Sequence, residues 1–232
     1  RVIHKAHDLG ITLFDTADVY GNQGGSEDFM GQVLGDMRKS IVLATKFCMP
    51  MSDDGTKQGA SRRYIMQAVE ASLRRLRTDW IDLYQVHRFD PLTPIEETMR
   101  ALDDLVRQGK VRYIGCSNWA SWQMTEAAWI SKVQGLESFA SCQDEYSLVV
   151  RDAERELMPA ARHLGMGLLP YFPLASGLLT GKYRRNAPMP EASRLTTTQR
   201  LADRYLTDKN WAISEKLIDY AEARGHTALE LA

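Results

Sequence analysis

The 232 residues carry 29 Lys and Arg against 30 Asp and Glu, a formal charge of -1, with neither sign gathered in a long block. That balance excludes a nucleic-acid partner held by bulk charge, and no apolar run approaches the ~20 residues of a membrane span or marks a secretory leader. With 44% hydrophobic residues the chain can bury a real core.

Cys48, Cys116 and Cys142 are odd in number, widely spaced, and set in or just after apolar strand-like runs. They read as buried thiols of a reduced, cytoplasmic protein, with no disulfide or metal framework.

The chain opens in what reads as the last turns of a helix stopped at Gly10. Ile11 to Phe14 is a short strand leading into Asp15-Thr16-Ala17-Asp18-Val19-Tyr20-Gly21, and a helix follows from Ser26 to about Leu34. Ser40 to Lys46 is a buried strand, and Met49 to Ala60 a polar loop. Ile65, Val69, Leu73 and Leu76 then mark one buried helix face at spacings of four, four and three. The basic run Arg74-Arg75-Leu76-Arg77 on that helix reads as a solvated outer face.

Trp80 to His87 is a strand, and Thr93-Pro94-Ile95-Glu96 reads as a cap, a first-turn Pro and a capping-box Glu opening a helix that stops at Gly109. Strands are expected at Val111 to Cys116, Ser138 to Gln143 and Gly165 to Pro170, with helices at Ser121 to Lys132, from Pro159 to His163, and at Asp208 to Arg224. Arg184 to Thr207 reads as a polar, proline-containing loop. Thr227-Ala228-Leu229-Glu230 is a capping-box signature for one more helix.

Six strands alternating with helices, without hairpin signals, imply a parallel sheet covered by helices. No Gly-x-Gly-x-x-Gly turn follows the first strand, as a dinucleotide-binding doubly wound sheet would require. An α/β fold of the (β/α)8 TIM-barrel type is expected instead, as one domain over residues 1–232 that is partial, its first and last strands lying outside the chain.

In such a fold the strand C-termini converge, and here they carry Asp15 and Tyr20, Lys46, His87, Ser117 and Asn118, Gln143, and Tyr171. A phenol is a poor acid near neutrality, and a neighbouring ammonium from Lys46, itself paired with Asp15, would favour the phenolate. His87 can orient a substrate oxygen. The set suits protonation of the alkoxide formed when hydride reaches a carbonyl carbon. A hydride donor must then come from outside the side chains. Ser117, Asn118 and Gln143 can hold a nicotinamide carboxamide and Tyr171 can stack on its ring. Asn118 has a rival reading as a helix cap before Ala120.

The chain resembles the aldo-keto reductase superfamily over almost its whole length. The matching stretches are DTADVYG at Asp15 to Gly21, ATKF at Ala44 to Phe47, DWIDLYQVHRFD at Asp79 to Asp90, GKVRYIGCSNW at Gly109 to Trp119, and PLASGLLTGKY at Pro173 to Tyr183. The resemblance implies Tyr20 as general acid, Lys46 and Asp15 as its tuning pair, His87 as the carbonyl-orienting residue, and a small-molecule carbonyl substrate reduced with NADPH, NADH remaining open. It implies cofactor contacts from Ser117, Asn118, Gln143, Tyr171 and Pro173, and from Leu174, Ser176, Leu178 and Lys182 along the pyrophosphate. Phe172 departs from the small polar residue often found there, and Trp119 is an aromatic wall for the substrate. Some relatives are channel auxiliary subunits, so a redox-sensing regulatory subunit is a second reading. A Schiff-base aldolase using Lys46 is a third.

Overall fold

The computed structural model describes all 232 residues, Arg1–Ala232. Helices and strands alternate as the periodicity requires. In chain order they are α1 (Val2–Asp8), β1 (Leu13–Asp15), α2 (Tyr20–Leu34), β2 (Val42–Phe47), α3 (Arg62–Leu76), β3 (Ile81–Val86), α4 (Ile95–Arg107), β4 (Val111–Ser117), α5 (Ser121–Gln134) and β5 (Ser141–Glu145). They continue with α6 (Leu157–His163), β6 (Gly167–Tyr171), α7 (Arg194–Thr197), α8 (Gln199–Tyr205), α9 (Asp208–Glu222) and α10 (Ala228–Leu231).

The six strands join one sheet in the order β1-β2-β3-β4-β5-β6, and the pairs from β1 to β5 are parallel. Sequential order with a helix after each strand is what βαβ crossovers of one hand produce. The chain forms two compact units: Arg1–Gln143 with Leu157–Leu168, and Asp144–Glu156 with Leu169–Ala232.

In the first unit the register aligns the residues that matter. Lys46 pairs with Gln85, Gln85 with Gly115, and Ser117 with Gln143. Every residue of β3 is buried, so its pattern of Asp82 and Gln85 among apolar neighbours does not mark a wet face. Asp82 is satisfied inside by Arg38 at 2.7 Å and the Leu43 N–H at 3.1 Å. Gly115 is small for a reason: a Cβ there would stand 2.7 Å from Ser141 Oγ and 3.2 Å from Gln85 Cγ. The expected face of α3 is the buried one, with Ile65, Val69, Leu73 and Leu76 all inside.

Several local expectations change. Arg75 is not solvated but reaches the fully buried Glu27 at 2.7 Å, because a buried carboxylate needs a cation. Thr93 does not cap α4. Its hydroxyl donates to Asp90 at 2.7 Å, and Pro94 is itself the N-cap. Strand β5 begins three residues later than the apolar run from Ser138 suggests, and α6 begins at Leu157, so Pro159 is its third residue. The stretch read as a loop after Arg184 contains α7 and α8.

Those helices build the second unit. Leu195, Leu201 and Tyr205 pack with Ala175, Leu178, Leu179 and Tyr183 in one cluster. The Tyr205 hydroxyl and the Arg204 guanidinium both donate to Glu145. The capping box at Thr227 forms as expected, with Thr227 N–H donating to Glu230 at 2.7 Å. No helix is long and apolar enough to cross a membrane, and no group of three or more His, Cys, Asp or Glu is placed to hold a metal ion.

Candidate active site

The turn after β1 brings the first unit's reactive groups together. Asp15 ends β1, and the Thr16 and Asp18 N–H groups donate to the Ala44 and Lys46 carbonyls at 2.9 and 3.1 Å. The turn is thereby fastened alongside β2. Lys46 points inward, with no exposure. Its ammonium donates to Asp15 and, at 2.9 Å, to the Thr16 carbonyl. It stands 5.2 Å from the centre of the Tyr20 ring. A second partner, which the sequence reading missed, is Gln85, whose Nε2 donates to the other Asp15 oxygen at 3.0 Å. A polar side chain among the apolar residues of a buried strand was the signal for it.

Tyr20 keeps 42% of its surface open, so a substrate can reach it. After it the backbone takes four successive left-handed residues, Gly21 to Gly24, two of them the non-glycines Asn22 and Gln23. His87 meets the Tyr20 ring edge-on, with centres 5.6 Å apart and planes at 84°. Its N–H main-chain group donates to the Phe47 carbonyl at 2.9 Å. Burial first, then the charges of Lys46 and Arg88, lower the imidazole to about 4. His87 is therefore neutral at neutral pH, and its Nδ1 is buried without a partner.

The Tyr20 phenol is raised above its usual value, by burial first and then by the carboxyls of Asp15 and Asp18. The net direction is opposite to the pull expected from Lys46. Burial and the two carboxyls set that direction, while the ammonium, held by Asp15 and the Thr16 carbonyl, faces the ring. Burial lowers Lys46 itself, against the opposing effect of Asp15.

Ser117, Asn118 and Gln143 do meet. Asn118 Nδ2 donates to Ser117 Oγ and to the His87 carbonyl, both at 3.0 Å, and the Asn118 N–H donates to the Gln143 carbonyl at 3.0 Å. Asn118 adopts φ +56°. The rival cap reading fails: the N-cap of α5 is Ala120, whose N–H donates to Gln123 at 2.7 Å. Trp119 is not an open wall. It is 3% exposed and packed edge-on against Phe89 and Phe139.

In the second unit Tyr171 ends β6, with its carbonyl accepting from the Tyr146 N–H at 3.3 Å. Pro173 is exposed and Leu174 half-buried. Leu178 is wholly buried in the core cluster, leaving only its backbone to face a ligand. Phe172, the departure noted above, packs edge-on against Tyr171 and Tyr205.

A nicotinamide dinucleotide needs a cradle for its pyrophosphate, and the Ala175-Ser176-Gly177 turn fits that need. All three residues have positive φ, with the Ala175 and Gly177 N–H groups donating to the Phe172 and Leu174 carbonyls at 2.8 Å, so what the turn offers an anion is the Ser176 side chain and Lys182. Ser176 Oγ is buried with no partner. A Cβ on Gly177 would fall 3.1 and 3.2 Å from Lys182 Cε and Nζ, so a cation lies directly over the turn.

The aldo/keto reductase family pattern matches residues 1–232. The chain belongs to the aldo/keto reductase family. It is 40% identical over 243 residues to an uncharacterized oxidoreductase, YrpG, of Bacillus subtilis, covering 100% of this chain and 72% of that protein. It is 33% identical over 251 residues to the versiconal hemiacetal acetate reductase of Aspergillus parasiticus, covering 100% and 72%. It is also 38% identical over 237 residues to a probable voltage-gated potassium channel subunit beta of Arabidopsis thaliana, covering 100% and 71%. As an aldo/keto reductase-family oxidoreductase, the chain falls in a family that typically uses NAD(P)H and small carbonyl substrates, and the parallel α/β sheet agrees with that family's barrel.

Proposed function

We propose that this chain reduces aldehydes or ketones to alcohols with NADPH, Tyr20 giving its hydroxyl proton to the carbonyl oxygen. The observation that carries the reading is the fully buried Lys46 ammonium, held by Asp15 and the Thr16 carbonyl and set 5.2 Å from the Tyr20 ring. A buried ammonium is costly, and its position beside the open phenol makes sense if it steadies the phenolate that proton donation leaves. Asp15 and Gln85 hold it there. The neutral His87 donates a hydrogen bond to the same substrate oxygen and orients it.

When bound, the nicotinamide cofactor supplies the hydride. Ser117, Asn118 and Gln143 would hold its carboxamide, Tyr171 would stack on its ring, Pro173 would line the cofactor beside it, and Leu174, Ser176, Leu178 and Lys182 would run along its phosphates. The buried thiols support a reducing, cytoplasmic setting. The test is NADPH oxidation with a panel of small aldehydes, diketones and aromatic carbonyls. Turnover that disappears in Tyr20→Phe supports the reading, and turnover that survives it rejects Tyr20 as the acid.

Similarity to the potassium channel subunit beta supports a second reading, a cofactor-binding, redox-sensing regulatory subunit with little turnover. Stable cofactor binding, no oxidation of NADPH with any carbonyl, and association with a membrane protein would favour it.

A further inference from the structure

Asp18 lies between Asp15 and Tyr20 in the same turn, is 1% exposed, and has no side-chain hydrogen-bond partner on either carboxyl oxygen. A charge in that position is expensive, and the neighbouring cations are already taken. Arg75 from α3 is engaged by Glu27 at 2.7 Å, and Lys46 from β2 by Asp15 and Thr16. The remaining ionisable neighbours are Glu27 from α2, Tyr64 from α3 and Tyr84 from β3, together with Asp15 and Tyr20 on its own segment. Glu27 is satisfied by the Thr45 hydroxyl at 2.5 Å and by Arg75. Of the two buried carboxyls facing one arginine, Asp18 is the one left without a side-chain partner.

We propose that Asp18 is a positioning residue for Tyr20: protonated, it leaves the phenol free to give up its proton, and ionised, it adds a second carboxylate charge to that of Asp15 against the phenolate. Burial first and Glu27 second lift its carboxyl from 3.8 to about 7, overcoming the Val19 N–H, Arg75 and Lys46. Its charge is among the causes that raise Tyr20. The switch therefore lies near neutrality. Carbonyl reduction is supported on the acid side and opposed on the alkaline side. The inference rests on Tyr20 being the proton donor.

Two variants test it in the full chain, Asp18→Asn, which keeps the shape without the charge, and Asp18→Leu, which removes the polar atoms as well. The first readout is the single-turnover rate of aldehyde reduction against pH. The second needs neither cofactor nor turnover: tyrosinate absorbance against pH, taken as a difference from the same protein carrying Tyr20→Phe, isolates the ionisation of Tyr20. The expected wild-type rate falls roughly tenfold across neutrality as Asp18 ionises. That limb is lost in both variants, and the Tyr20 midpoint comes down. A merely structural role would lower the rate evenly at every pH and leave the midpoint in place. An unchanged Tyr20 midpoint in both variants overturns the proposal. Turnover persisting in Tyr20→Phe alone would instead sink the reductase reading, with the absorbance titration still deciding whether Asp18 governs that phenol.

Discussion

Replacing Lys46 with Met should raise the pKa of His87, and the structure sets a lower bound on the amount. The Lys46 ammonium is 5.2 Å from the Tyr20 ring centre, and the His87 ring centre is 5.6 Å from it. The ammonium and the imidazole can be no farther apart than the two lengths combined, about 10.8 Å. At an effective dielectric of ~20, two unit charges at that separation repel by about 1.5 kcal/mol, or roughly one pKa unit. His87 should thus climb from about 4 to about 5 or somewhat higher. It should stay below its ordinary value, because burial is the larger cause and Met does not relieve it.

The assay is an NMR titration of the His87 imidazole, assigned by the resonance lost in His87→Gln. The same shift has a thermodynamic side. His87 binds its proton less readily folded than unfolded, so folding stability is full above the unfolded value near 6.5 and is lost as pH falls toward about 4. In Lys46→Met that acid loss should shrink by about 1.5 kcal/mol. A His87 midpoint that does not move would mean that the Lys46 charge is not felt at this end of the site, and the electrostatic account of Asp15, Tyr20, Lys46 and His87 would fail with it.

Further predictions concern the phenol, the phosphate turn and the buried carboxylate. Tyr20→Phe should lower carbonyl reduction by about 10²–10⁴-fold while NADPH affinity, read by fluorescence titration, stays near that of the parent; retained turnover contradicts the assignment. Gly177→Val forces a β-branched residue to φ +100° and sets its Cβ 3.1 Å from Lys182 Cε. It should cost about 1–3 kcal/mol of stability and weaken NADPH binding on the order of tenfold, whereas unaltered affinity would remove the turn from the phosphate site. Glu27→Ala strands Arg75 and the Thr45 hydroxyl in a buried setting and should destabilise the fold by about 3–5 kcal/mol in urea unfolding. A loss below about 1 kcal/mol would show that the pair is not needed.

Much of the architecture was legible because its signals are local. The four-four-three spacing of Ile65, Val69, Leu73 and Leu76 needs only helical period, and the Thr227–Glu230 capping box needs only four residues. The strand ends were legible for the same reason, and the order β1 to β6 follows from short crossovers of one hand. Boundaries were less so. Thr93 has the right spacing for a cap, but Asp90, fixed by the Ala60 and Leu92 N–H groups, competes for its hydroxyl and wins.

By itself the sequence determined a parallel α/β fold, the family, and the meeting of Asp15, Tyr20, Lys46 and His87 at one rim, because each follows from period, turn chemistry or motif. What only the tertiary structure decided was the electrostatic state of those groups. Asp15 and Asp18 are three residues apart and indistinguishable in composition, yet one holds an ammonium and a glutamine amide while the other is sealed without a side-chain partner. Gln85 supports the site across three strands, and Arg75 leaves a basic surface run to reach Glu27. Charge, burial and hydrogen bonding depend on which distant atoms arrive within about 3 Å, and that information exists only once the strands are in register.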